Sequence, residues 1–120
     1  AVVTDMGEVR VVDGIAIVSV AGELDLRTVP PFAASLLSNV EAHDRVIADL
    51  MDVTFLDSTG LSALIRAATR ALERGTRIAV AVGEARVRRV FELTGLVEAL
   101  GVSESVDSAR AFLLRDTSSL

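Results

Sequence analysis

Two kinds of hydrophobic periodicity alternate along this chain. Short runs of valine, isoleucine and alanine, bounded by glycine and aspartate, have the composition and length of β-strands. Between these runs, apolar residues recur every three or four positions, which is the spacing of one face of an α-helix. Strands are therefore predicted over residues 9–12, 15–21, 45–50, 77–82 and 100–103, with residues 51–56 continuing the third strand as an extended segment.

Four helices are predicted in the intervening stretches. The first contains Pro30 and Pro31 in its opening turn, where proline is tolerated because the amides of a first turn have no partner within the helix. A polar connection is predicted to follow it over 39–44. The second is amphipathic, and its apolar stripe is predicted to consist of Leu61, Leu64, Ile65, Ala68 and Leu72. The first helix is predicted to begin at Thr28, and the second is predicted to run over 61–74. The third is predicted to end at Thr94-Gly95, and the fourth is predicted to begin near Ser105.

The order of these elements predicts the fold class. Strands that alternate with helices are typical of an α/β domain with a mostly parallel sheet. Asp13-Gly14 between two β-branched runs indicates a hairpin, which adds one antiparallel strand at an edge, and Gly22 is predicted to end the second strand. We therefore expect a small mixed, mostly parallel sheet with four helices packed on it. One domain is predicted over residues 1–120, with a core at about 9–114 and a tail at 116–120.

Composition and charge exclude several functions. The net charge is −5 and aromatic residues make up 3% of the chain, whereas nucleic-acid binders are usually basic and stack bases on aromatic rings. Cysteine is absent, which rules out disulfides and thiolate metal sites. No signal peptide is visible, and no apolar stretch approaches the roughly 20 residues that span a bilayer. A cytoplasmic protein is predicted, without direct contact to membrane or nucleic acid.

The segment Asp57-Ser58-Thr59-Gly60 is the main candidate for chemistry, because it joins a predicted strand to a predicted helix. Helix N-termini present unpaired amides and a positive dipole, so a phosphoryl group on Ser58 is expected to be accommodated there. That group would add nearly two negative charges. The same four residue types are also ordinary turn and helix-capping residues, which leaves a purely structural role open.

Three segments carry a family resemblance. The stretch from Val46 to Leu61 resembles the central segment of STAS domains, Gly22-Glu23-Leu24-Asp25 resembles the turn after their second strand, and residues 91–96 resemble the end of their third helix. Order and spacing also match. The chain is thus similar, over roughly 9–114, to the anti-sigma factor antagonists of the STAS family.

The resemblance implies a phosphorylation switch. Ser58 matches the serine that a partner phosphorylates in active members, and Thr59 is an alternative acceptor. Asp57 would orient this serine or cap the helix, and Gly60 would permit close backbone approach. Together, Asp57, Ser58, Thr59 and Gly60 would form the switch loop.

The resemblance also implies partners. Unphosphorylated antagonists bind a serine kinase that acts as an anti-sigma factor, and the sigma factor is thereby released. Phosphorylated antagonists dissociate, and a phosphatase resets them. No cofactor and no enzymatic activity of its own are implied. Partner contacts would come from Gly22, Glu23, Asp25 and Leu61.

Other readings of the sequence stay open. A STAS scaffold without a switch, as in stressosome-like or membrane-transport assemblies, is one alternative, and a small-molecule binder or weak hydrolase is another. Ser58 could form a nucleophile pair with His43, although the Gly-x-Ser-x-Gly elbow is absent. Asp49 and Asp52 could join Asp57 around a metal ion, but they lack a known ligand pattern. A basic cluster of Arg86, Arg88 and Arg89 is predicted to be mostly a solvated helix face, with a second docking surface as the lesser alternative.

Overall fold

The computed structural model describes residues 6–115, and their side chains from Glu8 onward. The described part of the chain forms five strands and four helices. In chain order these are β1 (Met6–Val12), β2 (Ile15–Leu24), α1 (Val29–Ala42), β3 (Arg45–Leu56), α2 (Ser58–Arg74), β4 (Arg77–Val82), α3 (Ala85–Thr94), β5 (Val102–Ser103) and α4 (Val106–Leu114). The predicted tail at 116–120 lies outside the described residues.

The strands form one mixed sheet in the order β1-β2-β3-β4-β5. β1 and β2 are antiparallel, and the other neighbouring strands are parallel. Asp13 and Gly14 make the tight turn between β1 and β2, and both have a positive φ, at 53° and 78°. Two-residue hairpin turns of this type need a positive φ at both positions. The predicted fold class and the predicted hairpin are therefore confirmed.

The helices cover the two faces of the sheet unequally. α1, α2 and α3 pack on one face, where the core includes Phe32 of α1, Leu64 of α2 and Phe91 of α3, all fully buried. The opposite face carries a smaller core of Ile15, Ile17, Ile47, Ala79 and Ala81, against which Ala109 and Leu113 of α4 pack.

Arginine side chains fix the end of α4. Arg45 and Arg77 donate hydrogen bonds to the Leu113 carbonyl, at 3.2 and 2.8 Å, and Arg77 also reaches the carbonyls of Phe112 and Arg115. The last carbonyls of a helix have no intrahelical partner. These donors satisfy them and tie the helix to the first residues of β3 and β4.

Several predicted boundaries are wrong. β2 does not end at Gly22 but continues to Leu24, because Gly22 adopts a φ of +87° beside a register shift and lets the strand bend without stopping. α1 continues to Ala42, well into the stretch predicted as a polar connection. α2 begins at Ser58, three residues before the prediction, and β5 is only two residues long.

The predicted apolar stripe of α2 is also partly wrong. Leu72 is 83% exposed and Ile65 is 40% exposed, so neither belongs to the buried face. The residues of α2 that face the sheet are Gly60, Ala63, Leu64, Ala67 and Ala71. Four of these are small, so the helix backbone lies close to the sheet and leaves no room for larger side chains. The prediction followed the spacing of the large aliphatic residues, and it therefore identified a stripe next to the one that is buried.

The three arginines of the predicted basic cluster on α3 differ in exposure in the structure. Arg86 and Arg89 are exposed, as predicted, but Arg88 is half-buried and forms an ion pair with Glu92 at 3.5 Å. None of the helices over residues 6–115 has the length and apolar character needed to cross a membrane.

Candidate functional site

The ends of β2 and β3 bring two of the predicted segments together. Leu24 lies opposite Leu56 in the parallel ladder, and the Asp57 amide donates to the Leu24 carbonyl at 3.2 Å. Because both strands run in the same direction, their carboxyl ends meet at one edge of the sheet. The turn that follows β2 therefore lies beside the first turn of α2.

Asp57 is the N-cap of α2. Its Oδ1 atom accepts hydrogen bonds from the Thr59 amide at 2.9 Å and the Gly60 amide at 3.1 Å, and also from the Thr59 hydroxyl. The helix cap predicted for Asp57 is thus present. The segment predicted as a switch loop is in fact this capping residue followed by the first three residues of the helix.

The two hydroxyl groups of this turn differ in availability. The Thr59 hydroxyl donates to Asp57 and its side chain is half-buried. Ser58 is exposed, and its hydroxyl makes no hydrogen bond to any described residue. The geometry therefore favours Ser58 over Thr59 as a group that another molecule can reach.

The occupied cap changes one expectation about phosphorylation. Two amides of the first turn already donate to Asp57, so they are not free to receive a phosphoryl group on Ser58. The new charge would instead lie next to the carboxylate of Asp57.

The hydrogen bonds to Asp57 also shift its acidity. The Thr59 hydroxyl lowers the pKa of the Asp57 carboxyl most strongly, burial raises it, and the amides of Gly60 and Thr59 lower it further, so the pKa lies below its ordinary value. A carboxyl whose pKa is lower in the folded state stabilises the fold at pH values above its unfolded pKa. That stabilisation is lost as the pH falls through the folded value.

We expect Asp57→Ala to lower the free energy of unfolding by about 0.5–2 kcal/mol near pH 7, the usual cost of losing an N-cap. Because the protonated carboxyl is a poor acceptor for these amides, the difference between wild type and variant should shrink as the pH falls below about 4. Urea titrations at several pH values measure this. The control is Asp52→Ala, because Asp52 is an exposed carboxylate that ends no strand and caps no helix. If Asp57→Ala lowered the free energy of unfolding no more than this control does, the capping role would be contradicted.

Gly60 is required by close packing at the start of α2. A Cβ atom at this position would lie 2.5 Å from the Leu56 Cδ1 atom and 3.2 Å from the Leu24 carbonyl oxygen. The helix thus begins almost in contact with the ends of β2 and β3. The sequence predicted that Gly60 permits a close backbone approach. The structure shows such an approach, and it is made to the ends of β2 and β3 in the sheet.

The turn between β2 and α1 is fixed by its own hydrogen bonds. Asp25 Oδ1 accepts from the amides of Arg27 and Thr28, and the Asp25 amide donates to the Thr28 hydroxyl at 2.8 Å. The Thr28 hydroxyl in turn donates to the Glu23 carbonyl at 2.7 Å. Burial raises the pKa of the Asp25 carboxyl, but the amides of Arg27 and Thr28 and the Arg27 guanidinium outweigh it and hold the pKa below its ordinary value.

Two exposed apolar side chains at this edge were missed by the sequence analysis. Leu26, at the tip of the turn, is 72% exposed, and Phe55, near the end of β3, is 50% exposed. A solitary leucine among the polar residues of a turn was a usable signal for the first. Phe55 gave no signal, because an apolar residue near the end of a strand is expected to be buried. We call Glu23, Asp25, Leu26, Phe55 and Ser58 the Ser58 surface; Leu26, Phe55 and Ser58 are exposed, and Glu23 and Asp25 are half-buried.

The other predicted contact residues lie close to this surface with different roles. Gly22 lies opposite Val53 at the bend of β2, where its backbone conformation shapes the approach to the turn. Leu61 is half-buried and packs against the main core, so only part of its side chain is accessible. Glu23 lies opposite Phe55 in the ladder.

A groove of about 290 Å³ runs from the Ser58 surface along α2. It separates the first turns of α1 and α2. Its lining consists of Leu26, Val29, Pro30, Ser58, Thr59, Ser62 and Arg66.

The structure separates the residues of the hydrolase hypothesis. His43 follows α1 and its carbonyl accepts from Thr76, at the end of the sheet where β3 begins, whereas Ser58 follows the end of β3. The 12 residues of β3 lie between them, a separation on the order of 30 Å or more. The proposed Ser58–His43 pair is therefore wrong.

The metal hypothesis is not supported by the geometry. Asp49 accepts from the Ser19 hydroxyl at 3.1 Å and the Met51 amide at 3.0 Å, while Asp57 caps α2. No group of three or more histidine, aspartate or glutamate side chains within residues 6–115 is arranged to hold a metal ion.

Comparison with known proteins identifies the family. The model of the STAS domain matches residues 7–109, and the chain therefore belongs to the STAS domain family. The anti-sigma-B factor antagonists of Staphylococcus epidermidis and Staphylococcus aureus are each 33% identical to it, over 75% of this chain and 84% of theirs. The crystal structure of an anti-sigma factor antagonist from Mycobacterium paratuberculosis superposes with a TM-score of 0.84 at 29% identity, covering 95% of this chain and 96% of the other.

Proposed function

We propose that this protein is an anti-sigma factor antagonist controlled by phosphorylation of Ser58. In the unphosphorylated state it binds an anti-sigma serine kinase through the Ser58 surface, and the kinase releases its sigma factor. Phosphorylation of Ser58 by that kinase ends the interaction, and a phosphatase restores it. The protein acts in the cytoplasm as a regulator, without enzymatic activity of its own.

One observation carries this proposal. Ser58 presents an exposed hydroxyl that has no hydrogen-bond partner among residues 6–115, on a capped helix and within a surface that also displays two apolar side chains. A kinase must reach the acceptor oxygen, and exposure at a helix start allows this without unfolding. Relatives named as anti-sigma-B factor antagonists support the same role.

The switch follows from charge. The Ser58 surface already carries the carboxylates of Glu23 and Asp25, with Asp57 capping the helix beside it. A partner that binds it should therefore present positive charge and an apolar patch. A phosphoryl group adds close to two further negative charges and must be desolvated when the apolar residues are covered. The modification thus opposes docking without any need to change the fold.

Partner capture with two variants tests the proposal. Ser58→Ala and Ser58→Asp proteins are immobilised and exposed to lysate of the source cell, and the bound proteins are identified by mass spectrometry. We expect a kinase of the ATPase type on the alanine variant and its loss from the aspartate variant. Ser38→Asp, at an exposed serine on α1, controls for the added charge and should retain the kinase.

Two other outcomes of the capture experiment would contradict the proposal. Equal recovery of a kinase by both Ser58 variants would contradict the phosphorylation switch. Recovery of the same partner without a kinase domain by both would instead indicate a STAS scaffold in which Ser58 only begins a helix.

A further inference from the structure

We propose that Arg66 forms an intramolecular binding site for the phosphate of phosphorylated Ser58. The inference rests on the proposed function, because it concerns the modified state of the same serine. The site is the groove between the first turns of α1 and α2. In it, phosphoserine 58 would extend along α2 and meet the Arg66 guanidinium, with the Ser62 hydroxyl between them.

Of the three arginines of α2, Arg66 is the one without a partner in the part of the chain that the structure describes. Arg70 forms hydrogen bonds with Glu41, including one of 3.0 Å, and with Glu73 at 3.3 Å. Arg74 donates to the Val40 carbonyl at 3.1 Å. Arg66, by contrast, has no ion pair or hydrogen bond with any residue in the range 6–115, although it lines the groove with Ser58. Its charge is available to a ligand.

Helix geometry brings Arg66 within reach. Ser58, Ser62 and Arg66 are spaced by four residues each, so their side chains lie on one face of α2. An arginine side chain on a helix leans toward the N-terminus, so its guanidinium lies over the turn that contains Ser62. One further turn, about 5.4 Å, remains to Ser58. The Ser58 side chain also leans toward the N-terminus, so a phosphoseryl group would span that distance in a rotamer that turns it back along the groove.

The alternative positions for the phosphate are unfavourable. The amides of Thr59 and Gly60 already donate to Asp57, whose carboxylate would repel the phosphate. Arg27, on the facing turn, is paired with Asp25 at 3.5 Å. The first turn of α1 carries no acidic residue that would compete for Arg66. A guanidinium can donate two parallel hydrogen bonds to a phosphate, which makes Arg66 the favoured partner.

Phosphorus NMR of the phosphorylated protein tests this site. Phosphoserine is incorporated at position 58 during translation, so that no kinase or other partner is needed. The second pKa of phosphoserine is about 6 in isolation, and a nearby cation lowers it. We expect Arg66→Gln to raise the measured value by about 0.5 unit relative to the otherwise identical protein. Arg66→Lys should restore much of the difference.

Two controls define what would overturn the proposal. Arg89→Gln removes an equally exposed charge from α3 and should leave the phosphate titration unchanged. An unchanged titration in Arg66→Gln, or a rise caused only by Arg27→Gln, would refute the Arg66 site. Because the titration involves no partner, its failure would leave the capture experiment unaffected, and failure of the capture experiment would leave the titration interpretable.

Discussion

Replacing Leu26 and Phe55 together by alanine is expected to weaken binding of the proposed partner, an anti-sigma kinase, by about a hundredfold, which corresponds to roughly 2.7 kcal/mol. A minority of interface residues, those well packed and desolvated near the centre, cost more than about 1 kcal/mol each when they are truncated to alanine. Leu26 and Phe55 are the large apolar residues exposed at the edge that carries Ser58.

The structure gives a reason for the size of this effect. Hydrogen bonds among Glu23, Asp25 and Thr28 hold the turn that carries Leu26, so the backbone that presents this side chain is ordered before binding. Preorganised groups lose less conformational entropy when they dock. Removal of Leu26 should therefore cost nearly the full contact energy.

Calorimetric titration with the captured kinase measures this prediction. Leu72→Ala is the matched control, because Leu72 is 83% exposed on α2 but lies outside the groove beside Ser58. It should bind like the wild type. Affinity of the double variant within twofold of the wild type would show that the partner docks elsewhere, even if Ser58 proves to be phosphorylated.

The largest expected effect on stability comes from Phe32. Its side chain is fully buried between the sheet and the helices of the main core. Phe32→Ala should lower the free energy of unfolding by about 3–5 kcal/mol, through lost burial and the cavity that remains. A domain of this size is usually stable by only about 5–15 kcal/mol, so the variant should be close to unfolding at moderate temperature.

Urea denaturation followed by circular dichroism measures the loss. Leu93→Ala, which truncates a side chain that is mostly exposed on α3, should change the free energy of unfolding by no more than about 0.5 kcal/mol. A Phe32→Ala variant that lost less than about 1 kcal/mol would mean that the core around α1 collapses into the vacated space.

The sequence predicted those features that local chemistry determines. The Asp13-Gly14 turn, the order of strands and helices and the start of the last helix near Ser105 all depend on neighbouring residues, and the structure confirms them. Asp57 was likewise recognisable as a cap, because its residue type and position before a helix define that role.

Features that depend on distant neighbours were not predictable in the same way. Gly22 acts as a bend only because β3 continues alongside it, and the buried face of α2 is set by how closely the sheet approaches Ala63, Ala67 and Ala71. The exposure of Phe55 depends on where β3 ends relative to β2. For the site, the sequence indicated Ser58 and its capping residue, and the solitary Leu26 in a polar turn was a usable signal, but nothing in the sequence indicated the exposure of Phe55.

Within residues 6–115, α4 is the one helix that packs on the second face of the sheet, and this has a consequence for cooperativity. That helix contributes only Ala109 and Leu113 as fully buried residues, and arginine side chains fasten its last turn. Regions with few buried contacts open at a lower free-energy cost than the whole domain. Transient detachment of α4 would uncover Ile15, Ile17 and Ile47, yet Ser58 and Leu26 belong to elements packed on the other face. The part of the Ser58 surface that carries Ser58 and Leu26 would therefore stay folded while α4 detaches.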